Sequence, residues 1–284
     1  MITEIAYAKI NFTLSVGEKR PDGYHRIDSV MHSISLSDTI TLEKAPTISL
    51  SITYGEAPKG KENLMVQAAE LFFAKKGLAG GVSLTLEKRI PSEAGMGGGS
   101  SDAAAVLRGL NRLYEANVSR ETLAAWSASL GADIPFCVLG GAARCQGIGE
   151  ILSPLPPWAD LPLLVIRPPV SVSTGKAYGE LDKRHVRSDD TTISCIQAME
   201  ERNIDALQAS LQNDFEAGLF PLEPVLQNTS TYLKSLHRSC LMTGSGSAFF
   251  VLPSDTKEQD RLYDIIKAAH SDWFVSKART VICC

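Results

Sequence analysis

The chain has 284 residues, enough for one large or two medium cores, with 44% hydrophobic and 21% charged residues and a formal net charge of -4. That mild acidity argues against a nucleic-acid partner, and no apolar run approaches the roughly 20 residues that span a bilayer, the densest being 161–166 with Pro162 inside it. The start, MITEIAYAKI, carries Glu4 and Lys9 and no long apolar stretch, so no secretory leader is expected; six scattered cysteines without CxxC spacing read as reduced thiols of a cytoplasmic protein.

Residues 8–16 alternate, with Lys9, Asn11, Thr13 and Ser15 on one face and Ile10, Phe12, Leu14 and Val16 on the other, which predicts a strand with one buried face. Its polar face sets a lysine and an amide side by side, roughly 7 Å apart by strand rise. A turn-rich loop, GEKRPDGYH, leads to alternating segments at 29–36, 39–43 and 47–53, so the first third reads as an antiparallel sheet. Asn63 predicts the N-cap of a helix that ends at Lys75 and Lys76 with Gly77 as its stop, and 82–88 alternates again. Next, a glycine cluster runs directly into a helix in PSEAGMGGGSSDAAAVLRGL, and a second helix is expected over 119–130, closed by Gly131 ahead of GADIPF. The proline-rich stretch around 155–169 marks a domain boundary, placed at 157/158. Beyond it helices are expected at 174–181, 191–201, 204–211, 225–236 and 257–269, with strands in LMTGSGSAFFVL and at 273–282, giving an α+β sandwich layer.

The segment from Gly95 to Asp102 carries the chemistry. Residues without a Cβ let the backbone curl so that several N–H groups point at one anion, and the helix behind adds its positive end, which suits phosphates. A flexible turn in which Ser100, Ser101 or Asp102 caps the helix is the plainer reading. A P-loop is absent, since Gly175-Lys176 has Val170 at the first glycine position and Ala177 after the lysine. A dinucleotide fingerprint would follow the first strand of a parallel βαβ unit, whereas here antiparallel strands precede the loop and Glu121 falls in a helical segment. A second glycine stretch, Gly244, Ser245, Gly246 and Ser247, is a bulge or hairpin by itself and, paired with the first, a second backbone surface at a ligand.

PSEAGMGGGSSDAA resembles the signature loop of the GHMP kinases and MTGSGSAFF their carboxyl-terminal glycine motif; AYAKINFTLSVGEKRPDGYH, LGADIPF and PPVSVSTGKAY carry the likeness in order from residue 7 to 250. The resemblance implies a two-domain α+β fold, residues 1–157 like domain 2 of ribosomal protein S5 and 158–284 a ferredoxin-like sandwich. It implies ATP as co-substrate over Pro91, Gly95, Met96, Gly97, Gly98, Gly99, Ser100, Ser101 and Asp102, with Mg2+ only as the nucleotide's counterion, at most touching Ser101. RPDGYH and GADIPF narrow it to the member of the non-mevalonate isoprenoid pathway whose acceptor is a cytidine diphosphate-linked methylerythritol, phosphorylated at its 2-hydroxyl. By the same likeness Asp133 is the base, Lys9 its cationic partner and Asn11 a holder of the acceptor. Tyr24 and His25 then serve the cytosine, with Tyr178 as the opposite aromatic wall and Thr174 nearby. Met96 stands where leucine is common in the family, and Tyr178 where phenylalanine can occur. Arg20 is read as either solvated or meeting the diphosphate; His32, His185, His237 and His270 have no metal-like spacing and receive no role. A monomer or weak homodimer is expected. A homoserine or mevalonate type of GHMP kinase, a non-catalytic nucleotide-binding module and a dinucleotide-using oxidoreductase are the competing readings, and the kinase reading requires Lys9, Asp133 and the glycine loop to meet.

Overall fold

The computed structural model describes residues 1–184, 191–237 and 239–282; His185, Cys283 and Cys284 lie outside them. Two long strands, β1 (Ile2–Lys19) and β2 (His25–Ala45), form an antiparallel hairpin closed by the Lys19–His25 pair. The sequence predicts a break in β2 near Ser37, yet Ser37 and Asp38 pair with Tyr7 and Ala6, so the strand runs through. Beside the hairpin lie β3 (Ser49–Tyr54), β4 (Gly81–Glu87), β5 (Ala142–Gly147), β6 (Ile151–Leu155) and the two-residue β8 (Gln212–Asn213), making seven strands. The expected antiparallel pattern is corrected at two places: β3 pairs with β4, and β8 with β1, in parallel.

A second sheet holds β7 (Pro162–Arg167), β9 (Cys240–Met242), β10 (Phe249–Val251) and β11 (Phe274–Arg279) in the order β11-β7-β10-β9, every pair antiparallel. Helices fill the β7–β9 connection and α10 (Thr256–Ala269) the β10–β11 connection, which is the βαββαβ ferredoxin-like pattern.

Among the helices, α1 (Leu64–Lys76) starts where Asn63 accepts from the Met65 N–H and stops at Gly77 with φ +59°. Then come α2 (Gly98–Leu113), α3 (Arg120–Ser127, capped by Ser119 but shorter than expected) and α4 (Ile134–Leu139). The second half contributes α5 (Thr174–Arg184), α6 (Thr192–Glu200), α7 (Ile204–Ser210), α8 (Asp214–Leu219) and α9 (Pro224–Leu236). The strands β5, β6, β7 and β8 and the helices α4 and α8 have no counterpart in the sequence reading.

One face of the seven-stranded sheet packs Leu84 and Leu86 under Phe72 of α1 and Leu107 of α2. On its other side Ile10 and Phe12 meet Val165 and Phe250 of the second sheet, with the Phe12 and Phe250 rings edge to face at 6.0 Å. The polar face of β1 is covered too, which corrects the expectation of a single buried face: Lys9 is 3% exposed, and the Thr13 and Thr192 hydroxyls lie 3.2 Å apart. His32, given no role from sequence, joins the layers: it faces the Ser33 carbonyl through Nδ1 (2.9 Å) and accepts the Trp158 N–H on Nε2 (3.2 Å). Burial pushes its pKa down to about 4. Among the described residues no helix is long and apolar enough to cross a membrane.

Candidate active site

β1 leans on the glycine loop. Its register slips between Tyr7 and Lys9, and the Lys9 N–H donates to the Met96 carbonyl at 3.0 Å. The Lys9 ammonium donates to Asn11 Oδ1 (2.8 Å) and stands 3.4 Å from Asp133 Oδ2. Asn11 in turn donates from Nδ2 to the Ser29 hydroxyl at 2.8 Å, which fixes the direction of its amide. A buried ammonium needs such partners, because an unpaired charge away from water is costly. Asp133 occupies the N-cap position of α4 without making a side-chain capping bond, so its carboxylate is left to Lys9 and to solvent. A Cβ on Gly97 would come 3.1 Å from Lys9 Cγ and 3.8 Å from Asp133 Oδ2. Lysine, carboxylate and glycine loop therefore share one point.

Gly97, at φ +65°, turns the chain into α2, and the Ser101 N–H to Gly97 carbonyl bond (2.8 Å) is the first of that helix. The N–H groups of Gly98, Gly99 and Ser100 have no acceptor within the helix, and all three residues line a cleft. One expectation is corrected here. Ser101 is buried outside the cleft lining, its hydroxyl donating to the Tyr7 carbonyl (2.6 Å), so it faces neither the nucleotide nor a metal bound with it. Asp102 lines the cleft with its side chain largely buried, its Oδ2 paired with Lys88 at 2.6 Å, while Lys88 pairs with Asp38 at 2.5 Å. Burial, and the nearby Asp38, push the Asp102 carboxyl above its ordinary range against the pull of Lys88. Burial would lower Lys88, but the flanking Asp102 and Asp38 carboxylates outweigh it and raise its pKa. Asp38 also accepts the backbone N–H groups of Arg89 and Ile90, pinning the approach to the loop. Lys88 is a cleft residue that sequence reasoning missed; a lone lysine at a strand end carries no distinguishing pattern.

The two glycine motifs interlock. A Cβ on Gly95 (φ +71°) would sit 2.1 Å from the Thr243 carbonyl oxygen, and one on Gly244 (φ +54°) 2.6 Å from the Gly95 carbonyl oxygen. The Thr243 hydroxyl accepts the Asn11 N–H at 3.1 Å, and Asn213, also missed, donates its amide to the Met242 and Gly244 carbonyls at 2.6 and 2.8 Å. Within the second motif only Ser245 and Gly246 line the cleft, with Ser245 3.0 Å from the Thr174 hydroxyl. Gly244 is spent on the interlock, and the buried Ser247 bonds the Val170 carbonyl, so neither meets the expectation of a cleft-facing position.

The cleft measures about 670 Å³, within the range of small-molecule sites. It runs from Tyr24 and Tyr178, past Asp133 and Lys9 and under Pro91, to Asn63 and Leu64 at the start of α1. Burial, with the Asp133 charge, pushes the Tyr178 pKa up to about 12. The expected Tyr24–His25 pair divides. Tyr24 is 60% exposed and lines the cleft, whereas His25 is buried outside its lining, stacked on Tyr178 with centroids 5.1 Å apart and planes at 17°. Arg20 pairs with its neighbour Asp22 at 2.8 Å.

Residues 63–141 match the family model of the GHMP kinases N terminal domain. The chain is 39% identical over 260 residues to a 4-diphosphocytidyl-2-C-methyl-D-erythritol kinase of Carboxydothermus hydrogenoformans, covering 91% of this chain and 90% of that protein. It is 37% identical over 270 residues to the protein of the same name from Macrococcus caseolyticus, with 94% and 95% covered. A crystal structure of 4-(cytidine 5'-diphospho)-2C-methyl-D-erythritol kinase matches with TM-score 0.82 and 35% identity over 98% of this chain and 99% of that one. A homoserine kinase from Cytophaga hutchinsonii, 16% identical over 99% of this chain and 95% of that one with TM-score 0.77, shares the fold.

Proposed function

This chain belongs to the 4-diphosphocytidyl-2-C-methyl-D-erythritol kinase family of the GHMP kinases and is a small-molecule kinase, and on that premise we propose that it moves the γ-phosphoryl group of ATP to the 2-hydroxyl of that diphosphocytidyl compound. The observation that carries the reading is the 3.4 Å approach of Lys9 Nζ to Asp133 Oδ2 beside the glycine loop. In the transfer the acceptor oxygen bonds to the γ-phosphorus, the bond to the β,γ-bridging oxygen breaks, the hydroxyl proton goes to Asp133 and ADP leaves. Lys9 offsets the negative charge of the carboxylate and of the group in flight. Asn11 keeps Lys9 in place and stands beside the acceptor, and the free N–H groups at the start of α2 take the phosphates. Tyr24 and Tyr178 supply aromatic faces for the cytosine, with Thr174 and Ser245 along the wall between that end and the loop.

Mg2+ bound with ATP would neutralise phosphate charge. Ser101, buried outside the cleft, does not fit it as a ligand, and among the described residues no group of three or more His, Cys, Asp or Glu could hold a metal, so no protein ligand is assigned. We also propose that the two domains divide at 157/158, between β6 and β7, where the chain leaves one sheet for the other.

Release of ADP by purified protein given ATP and the diphosphocytidyl substrate tests the reading. Turnover of homoserine or mevalonate instead would move the acceptor assignment elsewhere among the GHMP kinases. A binding module without chemistry has no use for the Lys9–Asp133 pair, and the antiparallel β2–β4 pairing ahead of the loop does not suit a dinucleotide oxidoreductase.

A further inference from the structure

Asp182 belongs to no motif, yet it holds together three elements at the end of the cleft where Tyr24 and Tyr178 lie. Its Oδ2 is 2.6 Å from the Lys19 ammonium at the end of β1, and its Oδ1 is 2.9 Å from His25 Nε2 at the start of β2. It follows Tyr178 by four residues on α5, so the two side chains rise from one helix face, a turn apart. His25 is thus held from three directions: its ring stacks on Tyr178, its Nε2 meets Asp182, and its Nδ1 lies 3.2 Å from the Gly17 carbonyl. Tyr178 is held in turn by His25 and by the edge-on ring of Phe215, centroids 4.9 Å apart.

An exposed ion pair such as Lys19–Asp182 alone contributes little. The His25 contact differs, because that imidazole is only 8% exposed and its other nitrogen is already committed to Gly17. The bond from Lys19 comes first among the influences that keep the Asp182 carboxyl below its ordinary range, so it meets His25 as an anion.

We propose that Asp182 is a positioning residue for the base of the acceptor: it grips His25, His25 braces Tyr178, and the tyrosine ring is thereby set as one wall for a pyrimidine. This rests on the diphosphocytidyl compound being the acceptor. Steady-state kinetics with that compound and ATP test it in the wild type, Asp182→Ala, His25→Ala and the double variant. Asp182→Ala is expected to raise KM for the cytidyl substrate on the order of tenfold, the size of one close charge contact held away from water, with KM for ATP unchanged. In the His25→Ala background it should add nothing further. Effects of the two substitutions that multiply, or an equal rise in both KM values, would overturn the proposal. Should the wild type fail to turn over the cytidyl substrate, the acceptor assignment falls by itself, and the brace is still read from the His25 imidazole NMR signals. A shift of those signals in Asp182→Ala supports the brace, and identical signals refute it.

Discussion

Replacing Gly95 with alanine tests whether the two glycine motifs form one machine. The new Cβ would lie 2.1 Å from the Thr243 carbonyl oxygen and 3.0 Å from the Gly246 nitrogen, both backbone atoms that cannot rotate away. Restoring an ordinary contact requires the two loops to part by about 1 Å. At φ +71° the alanine also carries the left-handed penalty, and with the overpacking the loss of stability should reach about 2 to 5 kcal/mol. A shift of that size in the phosphate cradle should lower kcat/KM for ATP about a hundredfold. Gly99→Ala is the internal control: Gly99 is not in the left-handed region and its Cβ would meet only Leu64 Cδ1 at 3.6 Å. Its stability should be unchanged or raised by up to about 1 kcal/mol, as for glycine to alanine in a helix. Urea denaturation and initial rates against ATP concentration read both variants. Equal midpoints and equal kcat/KM for the two would show that the interlock does not govern the cradle.

Asp133→Asn should lower kcat by a factor of about 10² to 10⁴ while calorimetric titration still shows ATP binding; retained full activity would remove Asp133 from the chemistry. Asp38→Ala leaves the Lys88–Asp102 pair in place but takes the acceptor from the Arg89 and Ile90 N–H groups and one carboxylate from Lys88, and should cost about 1 to 3 kcal/mol in denaturation, whereas no measurable loss would show Asp38 to be incidental. His32 gives a pH dependence. Its folded pKa of about 4 lies below the ordinary 6.5, so the unfolded chain takes up the proton first as pH falls. The stability it supports is complete above pH 6.5 and is lost on the way down to pH 4, about 2 kcal/mol of it by pH 5. The fall in stability between pH 7.5 and 5 should be smaller by that amount in His32→Gln, and equal falls in both proteins would reject the assignment.

The parts of the site that sequence made visible are those with local pattern. The alternation around Lys9 and Asn11 places them on one strand face, and the glycine cluster ahead of a run of alanines announces a helix with an open amino end. What escaped depends on contacts between distant segments. Thr13 reads as a solvent-facing residue until α6 is laid over it, and β8 consists of two residues whose pairing with β1 nothing nearby foretells. Ser101 shares the composition of anion-binding loops, but each step along a helix turns the side chain by about 100°, and it points into the fold while its neighbours Ser100 and Asp102 line the cleft. His25 follows Tyr24 directly, but Tyr24 closes the turn while His25 opens β2, and only the turn residue faces the cleft.

The fit between Gly95 and Gly244 bears on how homologues of this chain can be recombined. Two stretches separated by about half the chain meet backbone against backbone, with less room than a single methyl group requires. A chimera that joins the front of one homologue to the back of another inherits the mating surfaces from different parents, and any mismatch there falls on the phosphate cradle first. Exchanges that carry both loops from the same parent are the ones expected to yield active hybrids.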